Sequence, residues 1–228
     1  MVFAYDFPHK KTQDFIHALT THHYKIDYVI SAPWKKLPTS SHLSSHYKNL
    51  VHPRVLCERL KIPYHVLEHN NQEAIELLRK APVDLSIVSG ARILSPEIIK
   101  VCRSKILNLH PGLLPEIRGL DTLLWSIYYD YPIGISAHLI SSKIDCGTLI
   151  YKELLKLYPT DSLARINQRL VARQSHVLLK ALTLLSTQSF TENLDGTVHR
   201  YNSAMPKDLV EITLEKFSAW RKKYSLRH

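Results

Sequence analysis

Asn108-Leu109-His110-Pro111-Gly112 is a segment whose residue types could do chemistry. Asn108 and His110 are two apart, so on an extended strand both side chains point to one face. Pro111 cannot continue a ladder and stops the strand. A strand end showing an amide donor beside an imidazole suits attack on a carbonyl. The amide stabilises charge developing on oxygen, and the imidazole moves a proton. The same pair also serves simply to satisfy a loop, which is the commoner use. Asp145 follows in Lys143-Ile144-Asp145-Cys146-Gly147. Folded over the sheet end, its carboxylate would orient His110 or hold a water. A lone aspartate there is more often only a turn former. Spacing alone leaves both readings open.

The elements that must position these residues alternate along the chain. Residues 2–5, 26–31, 62–67, 85–88 and 106–109 read as five strands. Helices fall between them: one capped by Thr12 with Phe15, Ile16 and Leu19 on one face, then 53–60, 73–80 and 96–102. This spacing predicts an α/β fold, a Rossmann-like, mostly parallel sheet with helices on both faces. Ligands of such sheets sit beyond the carboxyl ends of the strands. Residues 110–120 form a Pro/Gly-rich loop, and Asp121 reads as the cap of a short helix. Strands at 133–140 and 148–155 then flank a tight turn, a pair open to antiparallel pairing. A long helix opens at Asp161, with Arg165, Arg169 and Arg173 on a face that reads as solvated. Residues 1–186 are expected to form the catalytic domain. Residues 187–228 form a hairpin and helical extension packed on it, ending in a basic amphipathic stretch over 209–224. Residues 32–50 read as a long surface loop.

Composition narrows the field. The chain has 228 residues, 45% hydrophobic and 22% charged, enough for one sizeable core. No run approaches the ~20 apolar residues a membrane helix needs, and the start reads as a buried strand instead of a leader, so a cytoplasmic protein is expected. Cys57, Cys102 and Cys146 are widely spaced and read as reduced structural thiols, supporting neither a zinc ribbon nor a disulfide framework. His42 and His46 are four apart but lack a third ligand, so no metal is expected. Five of the six glycines fall between residues 90 and 147, and none precedes residue 90. A glycine-rich phosphate loop after the first strand is thereby excluded. The net charge of +10 favours anionic partners. The basic residues lie in short clusters (His9-Lys10-Lys11, Lys35-Lys36, Arg221-Lys222-Lys223), and no nucleic-acid motif accompanies them.

Taken together, Asn108-Leu109-His110-Pro111-Gly112-Leu113-Leu114-Pro115, Arg118-Gly119 and Ile144-Asp145-Cys146-Gly147 resemble the formyltransferase superfamily that uses 10-formyltetrahydrofolate. Upstream, Ser89-Gly90-Ala91-Arg92-Ile93-Leu94-Ser95-Pro96 is similar to the loop by which these enzymes grip the pterin through backbone groups. The resemblance covers roughly residues 1–155. It implies the formyltransferase fold and 10-formyltetrahydrofolate as co-substrate, with no metal requirement. It makes Asn108, His110 and Asp145 the catalytic residues: Asn108 stabilises the oxyanion, His110 donates to it or shuttles protons, and Asp145 orients His110 or accepts amine protons through water. Arg92, Ile93, Leu94, Ile140 and Asp145 would hold the folate.

Among the branches of that superfamily, the tRNA-modifying one carries a sizeable C-terminal domain for which these ~40 residues are too few. The purine-synthesis branch has a Gly/Asn/Ser loop where this chain has Asp6-Phe7-Pro8-His9-Lys10-Lys11-Thr12. The segments 118–127 and Tyr201-Asn202-Ser203-Ala204-Met205-Pro206-Lys207 resemble enzymes that formylate nucleotide-linked deoxyamino sugars. That resemblance makes His9, Lys10, Lys11, Arg118 and Tyr201 candidate substrate contacts. Tyr201 and Trp220 read more readily as core. Expected partners are the folate and a sugar nucleotide, with no membrane or nucleic acid; a homodimer is left open. Formylation of phosphoribosylglycinamide is the alternative, and a non-enzymatic basic nucleic-acid-binding module a remote one.

Overall fold

A computed structural model describes residues 1–35, 47–102, 105–187, 192–194 and 200–225. Lys36, His42, His46 and most of the 32–50 loop lie outside the described residues. The amino-terminal half builds four parallel pairings. Strands β1 (Val2–Tyr5), β2 (Val29–Ala32), β3 (Tyr64–Val66), β4 (Leu85–Val88) and β5 (Lys105–His110) lie in the order β3-β2-β1-β4-β5. Antiparallel strands β7 (Gly134–Leu139), β8 (Thr148–Leu154) and β9 (Glu192–Asn193) then extend the sheet beyond β5. Strand order reverses at β1 and β4, so the loops after them open a crevice at their carboxyl ends.

Helices cover both faces. On one side α1 (Lys10–Thr21) and α6 (Leu163–Ser186) pack against Leu107, Leu109, Ile135 and Ala137. On the other, α3 (Gln72–Lys80) and α4 (Pro96–Val101) cover Phe3, Ile30 and Ile106. Helix α2 (Pro53–Arg59) adds Leu56 and Cys57 to the first core. The alternation of strand side chains therefore decides which residues remain at the rim: Asn108 and His110 share a face that Leu107 and Leu109 do not. The helix α5 (Thr122–Tyr128) joins a third cluster with Ile117, Met205 and Val210.

Several expectations are corrected. Thr12 does not cap α1; it lies inside the first turn, where its hydroxyl meets His9 Nδ1 at 2.8 Å and Ser89 Oγ at 3.1 Å. Asp121 is the N-cap residue of α5, as expected, but in a left-handed conformation (φ 47°) and without a side-chain capping bond, because its carboxylate accepts from the Met205 amide instead. The cap of α6 is Ser162, since Asp161 is buried and holds the Tyr158 amide and the Arg169 guanidinium. Arg169 and Arg173 are thus not merely solvated: Arg173 pairs with Glu153 at 2.6 Å. The second and third strands are shorter than expected. Among the described residues the tail forms no hairpin with itself; β9 pairs with β8. Its strand β10 (Tyr201–Asn202) pairs in parallel with β6 (Arg118–Gly119), which interrupts the 110–120 loop.

The tail helix α7 (Lys207–Tyr224) packs on α5, and Trp220 enters the main core, where its Nε1 donates to Tyr131 O at 2.7 Å. Tyr201, by contrast, is 42% exposed and not core. Trp220→Ala removes a fully packed ring and should cost about 3–5 kcal/mol, read as a lower urea midpoint. A loss below about 1 kcal/mol would mean that the tail contributes nothing to the fold.

Candidate active site

The site is built where β5 outruns its parallel neighbour. Strand β4 ends at Val88, opposite Asn108, while β5 continues to His110 beside Ser136 of β7. His110 is buried. Its Nε2 lies 2.7 Å from Ile117 O, a pure acceptor, so Nε2 carries a proton. Its Nδ1 faces Asp145 Oδ1 at 3.5 Å, and the other carboxylate oxygen accepts from the Gly119 amide at 2.8 Å. Asp145 adopts a left-handed backbone (φ 50°), which aspartate tolerates better than most residues. Gly119 is required: at φ 94° a Cβ would lie 1.9 Å from Asn202 O. The three predicted groups therefore come together at one rim of the sheet.

A fourth group was missed in the sequence. His138 of β7 stands directly across from Asn108. Its Nδ1 is 2.8 Å from Cys146 O and so carries the proton, which leaves Nε2 to accept from the Asn108 amide at 3.1 Å. Burial pushes the His138 imidazole down to about 4, against the opposing pull of Asp145. Imidazole 138 is thus a fixed neutral acceptor that orients the Asn108 amide. The only signal in the sequence was its place among the alternating residues 134, 136 and 138.

The predicted folate residues lie on two neighbouring segments. Leu94 and Ile140 belong to the same apolar cluster, whereas Ile93 is 62% exposed and outside it. Arg92 donates to Pro33 O at 3.1 Å and faces Glu68 at 3.6 Å. Asn70 ties the loop down through Ile93 O and the Ser95 amide.

The basic candidates divide. Lys10 pairs with Asp14, one turn along α1. His9 and Lys11 turn inward. Burial pushes the His9 ring down to about 4 and the Lys11 ammonium down to about 7. Lys11 keeps part of its stem in contact with solvent, but its Nζ donates to Leu109 O at 2.8 Å. His9, Lys10 and Lys11 line a cleft of about 450 Å³ with Tyr47, Leu50 and Gln174. The Tyr47 hydroxyl and the Gln174 side-chain oxygen are buried there with no hydrogen-bond partner among the described residues. Arg118 is buried and donates to Leu194 O at 3.1 Å, so its guanidinium is not presented to solvent. Its strand neighbour Tyr201 stays exposed. Among the described residues no three His, Cys, Asp or Glu side chains gather as metal ligands, and no helix is long and apolar enough to cross a membrane.

The family profile described as Formyl transferase matches residues 10–182. A phosphoribosylglycinamide formyltransferase of Haemophilus influenzae is 27% identical over 58% of this chain and 63% of its own length. A methionyl-tRNA formyltransferase of Prochlorococcus marinus is 29% identical over 77% of this chain and 53% of its own. The chain thus spans less than two thirds of the length of either relative. Among solved structures, a sugar N-formyltransferase from a Shewanella species covers 94% of this chain and 86% of its own, with a TM-score of 0.64 and 16% identity. A phosphoribosylglycinamide formyltransferase from Anaplasma phagocytophilum covers 90% and 98%, with a TM-score of 0.66 and 17% identity. At these identities the two structures establish the fold.

Three imidazoles, those of half-buried His9 and of buried His69 and His138, are each pushed down to about 4 by their loss of water contact. An unfolded imidazole titrates near ~6.5, so between about pH 6.5 and 4 the unfolded chain binds more protons and stability falls as pH drops. The melting temperature should decline across that window, and His138→Gln should flatten part of the decline. A melting temperature constant from pH 7 to 4.5 would contradict the assignment of these rings as neutral.

Proposed function

The chain belongs to the formyl transferase family, and on that premise we propose that it transfers a formyl group from 10-formyltetrahydrofolate to the amino group of a nucleotide-linked amino sugar. The observation that carries this reading is the convergence of Asn108, His110 and Asp145 on one rim, with His138 and Gly119 holding two of them in place. The apolar walls Leu94 and Ile140, bordered by peptide groups, suit a flat heterocycle with polar edges. The bound folate supplies an N-formyl carbon open to attack by a neutral amine.

The residues then divide the work. Asn108 keeps one amide hydrogen on His138 and offers the other to the formyl oxygen, where negative charge develops. Asp145 and His110 stand beside the incoming amine, and the carboxylate takes its proton directly or through a water. The new bond joins the acceptor nitrogen to the formyl carbon as the bond to the donor nitrogen breaks. One proton leaves the first nitrogen and one reaches the second, so the exchange balances.

Support for the sugar-nucleotide acceptor comes from the clasp of the tail on the site. Asn202 Nδ2 donates to Arg118 O at 3.0 Å, and Trp125 Nε1 donates to Ser203 O at 2.9 Å, so the two segments that carry that resemblance bind each other. The basic cleft beside Lys10 suits the negative charge of the acceptor. The same cleft favours a second reading, phosphoribosylglycinamide, whose single phosphate is also anionic.

The test is a panel of UDP-, GDP- and dTDP-linked amino sugars and phosphoribosylglycinamide, each incubated with 10-formyltetrahydrofolate. The expected product is an N-formyl sugar nucleotide, detected by mass. Formylation of phosphoribosylglycinamide alone would select the second reading, and formylation of none would remove both. With the accepted substrate, Asn108→Ala should lose about 10²–10³ in turnover. Asp145→Asn, which keeps the shape, should lose the carboxylate's share. Wild-type turnover in Asn108→Ala would discard the mechanism.

A further inference from the structure

His9 is the N-cap residue of α1, yet its side chain caps no backbone amide. It opens a short relay into the core instead. Its Nδ1 lies 2.8 Å from Thr12 Oγ1, Thr12 Oγ1 lies 3.1 Å from Ser89 Oγ, and Ser89 Oγ donates to Phe3 O at 2.8 Å. Thr12 and Ser89 are fully buried, so the relay must satisfy itself. Three contacts need three hydrogens, and the set holds three: one on each hydroxyl and one on the ring. A carbonyl only accepts, so the serine hydrogen goes to Phe3 O. The threonine hydrogen then goes to Ser89 Oγ, and the ring must donate from Nδ1. Any other order leaves two oxygens facing each other without a proton. The relay therefore fixes a neutral ring with a lone pair on Nε2, which nothing among the described residues bonds. Tyr5 and Phe7 meet the ring at steep angles, with centroids 5.3 and 6.0 Å away. A Cβ at Gly90 would come within 3.2 Å of Nδ1.

His9 lines the cleft of about 450 Å³ that Lys10, Lys11, Tyr47 and Gln174 share. Gln174, on α6, is 2% exposed, and its Nε2 donates to Leu170 O at 3.4 Å. That carbonyl fixes which end of the amide carries the oxygen. Oε1 takes no hydrogen bond among the described residues. A buried amide oxygen without a donor is costly, and a ligand that brings one relieves the cost. The cations of the cleft are otherwise engaged. Lys10 pairs with Asp14, and Lys11 Nζ donates to Leu109 O at 2.8 Å. Burial pushes the His9 ring down to about 4, so it is uncharged at neutral pH. The two lysines draw an anionic molecule toward the cleft, but at contact distance His9 and Gln174 offer acceptors. A phosphate meets an acceptor with lone pairs, whereas a sugar ring meets it with hydroxyl hydrogens.

We infer that this cleft holds the hydroxyl-bearing ring of the acceptor, with His9 Nε2 and Gln174 Oε1 taking hydrogens from its hydroxyls and neither contacting phosphate. The inference rests on the proposed sugar-nucleotide reading for the identity of the ring, and on the hydrogen count for the polarity of the cleft. No bond is made or broken there. His9 selects the ring, and Thr12 and Ser89 are positioning residues that hold its tautomer. A ring without the matching hydroxyl would leave an acceptor unpaired, which is how a polar site rejects a close analogue.

The test uses the full chain. Without substrate, imidazole nitrogen NMR at neutral pH should show His9 protonated on Nδ1 and bare on Nε2, and Thr12→Val should shift it toward the opposite tautomer. UDP-, GDP- and dTDP-linked amino sugars are then titrated, each beside its parent nucleoside diphosphate and inorganic phosphate. A sugar nucleotide should move the Nε2 resonance, and the parent nucleotide and phosphate should not. With the sugar nucleotide that the wild type formylates, His9→Phe should raise the acceptor KM about 3–10-fold, with kcat nearly unchanged. That ratio should hold as salt is added, because the lost contact is between neutral groups. If His9→Phe fails to fold, Thr12→Val decides by the same two readouts. A wild-type His9 protonated on Nε2 would overturn the inference. So would a resonance moved by phosphate or the parent nucleotide, or by no sugar nucleotide. A sugar nucleotide that moves the resonance but is never formylated would count against the reaction alone.

Discussion

The carboxylate of Asp145 is the constraint on which the rest of the site depends. It sits at a sheet rim with little solvent around it, so its two oxygens must find partners in the protein. Two neighbours meet them: the Gly119 amide donates to Oδ2 and the His110 ring lies near Oδ1, while Lys11 is an opposite charge that the carboxylate acts on. Each comes from a different stretch of chain. The amide belongs to a two-residue strand, the ring to the end of β5, and the ammonium to the first turn of α1. A single acidic side chain thus fixes how the loop, the sheet and the first helix must meet.

The sheet itself is made of two kinds of pairing, and the site lies at their junction. Parallel strands β1, β4 and β5 bring their carboxyl ends to one edge, as crossovers through helices require. The antiparallel strand β7 then runs back along β5, which sets His138 opposite Asn108 and Ser136 opposite His110. An all-parallel continuation would have put the start of a strand elsewhere and left Asn108 without a lateral partner. The hydrogen-bond chain from Cys146 O through His138 to Asn108 exists because of this change of direction.

Much of this was legible in the residues. Period-two alternation and helix spacing located the five parallel strands to within a few residues, and Pro111 marked where β5 stops. The Asn108, His110 and Asp145 set was readable because its flanking segments are specific in combination. What escaped reading was decided by tertiary contacts. Lys11 looks like any surface lysine until α1 is laid against β5. Arg118 looks like an anion ligand, but its strand is pinned against the tail, which turns it inward. Asp121 has the identity of a helix cap, yet a distant amide, that of Met205, competes for its carboxylate and wins. His138 carried no motif because its role depends on the residue across the ladder.

The pairing of Arg118–Gly119 with Tyr201–Asn202 also orders events in time. The amide that seats Asp145 is aimed by a partner more than eighty residues downstream, since Leu120 N and Arg118 O both close on Asn202. During synthesis the amino-terminal part of a chain emerges and begins to fold first. A nascent polypeptide therefore carries its sheet and its imidazoles well before it can lock the acid among them. The seat of the acid is complete only when this seam closes, after residue 202 has been made.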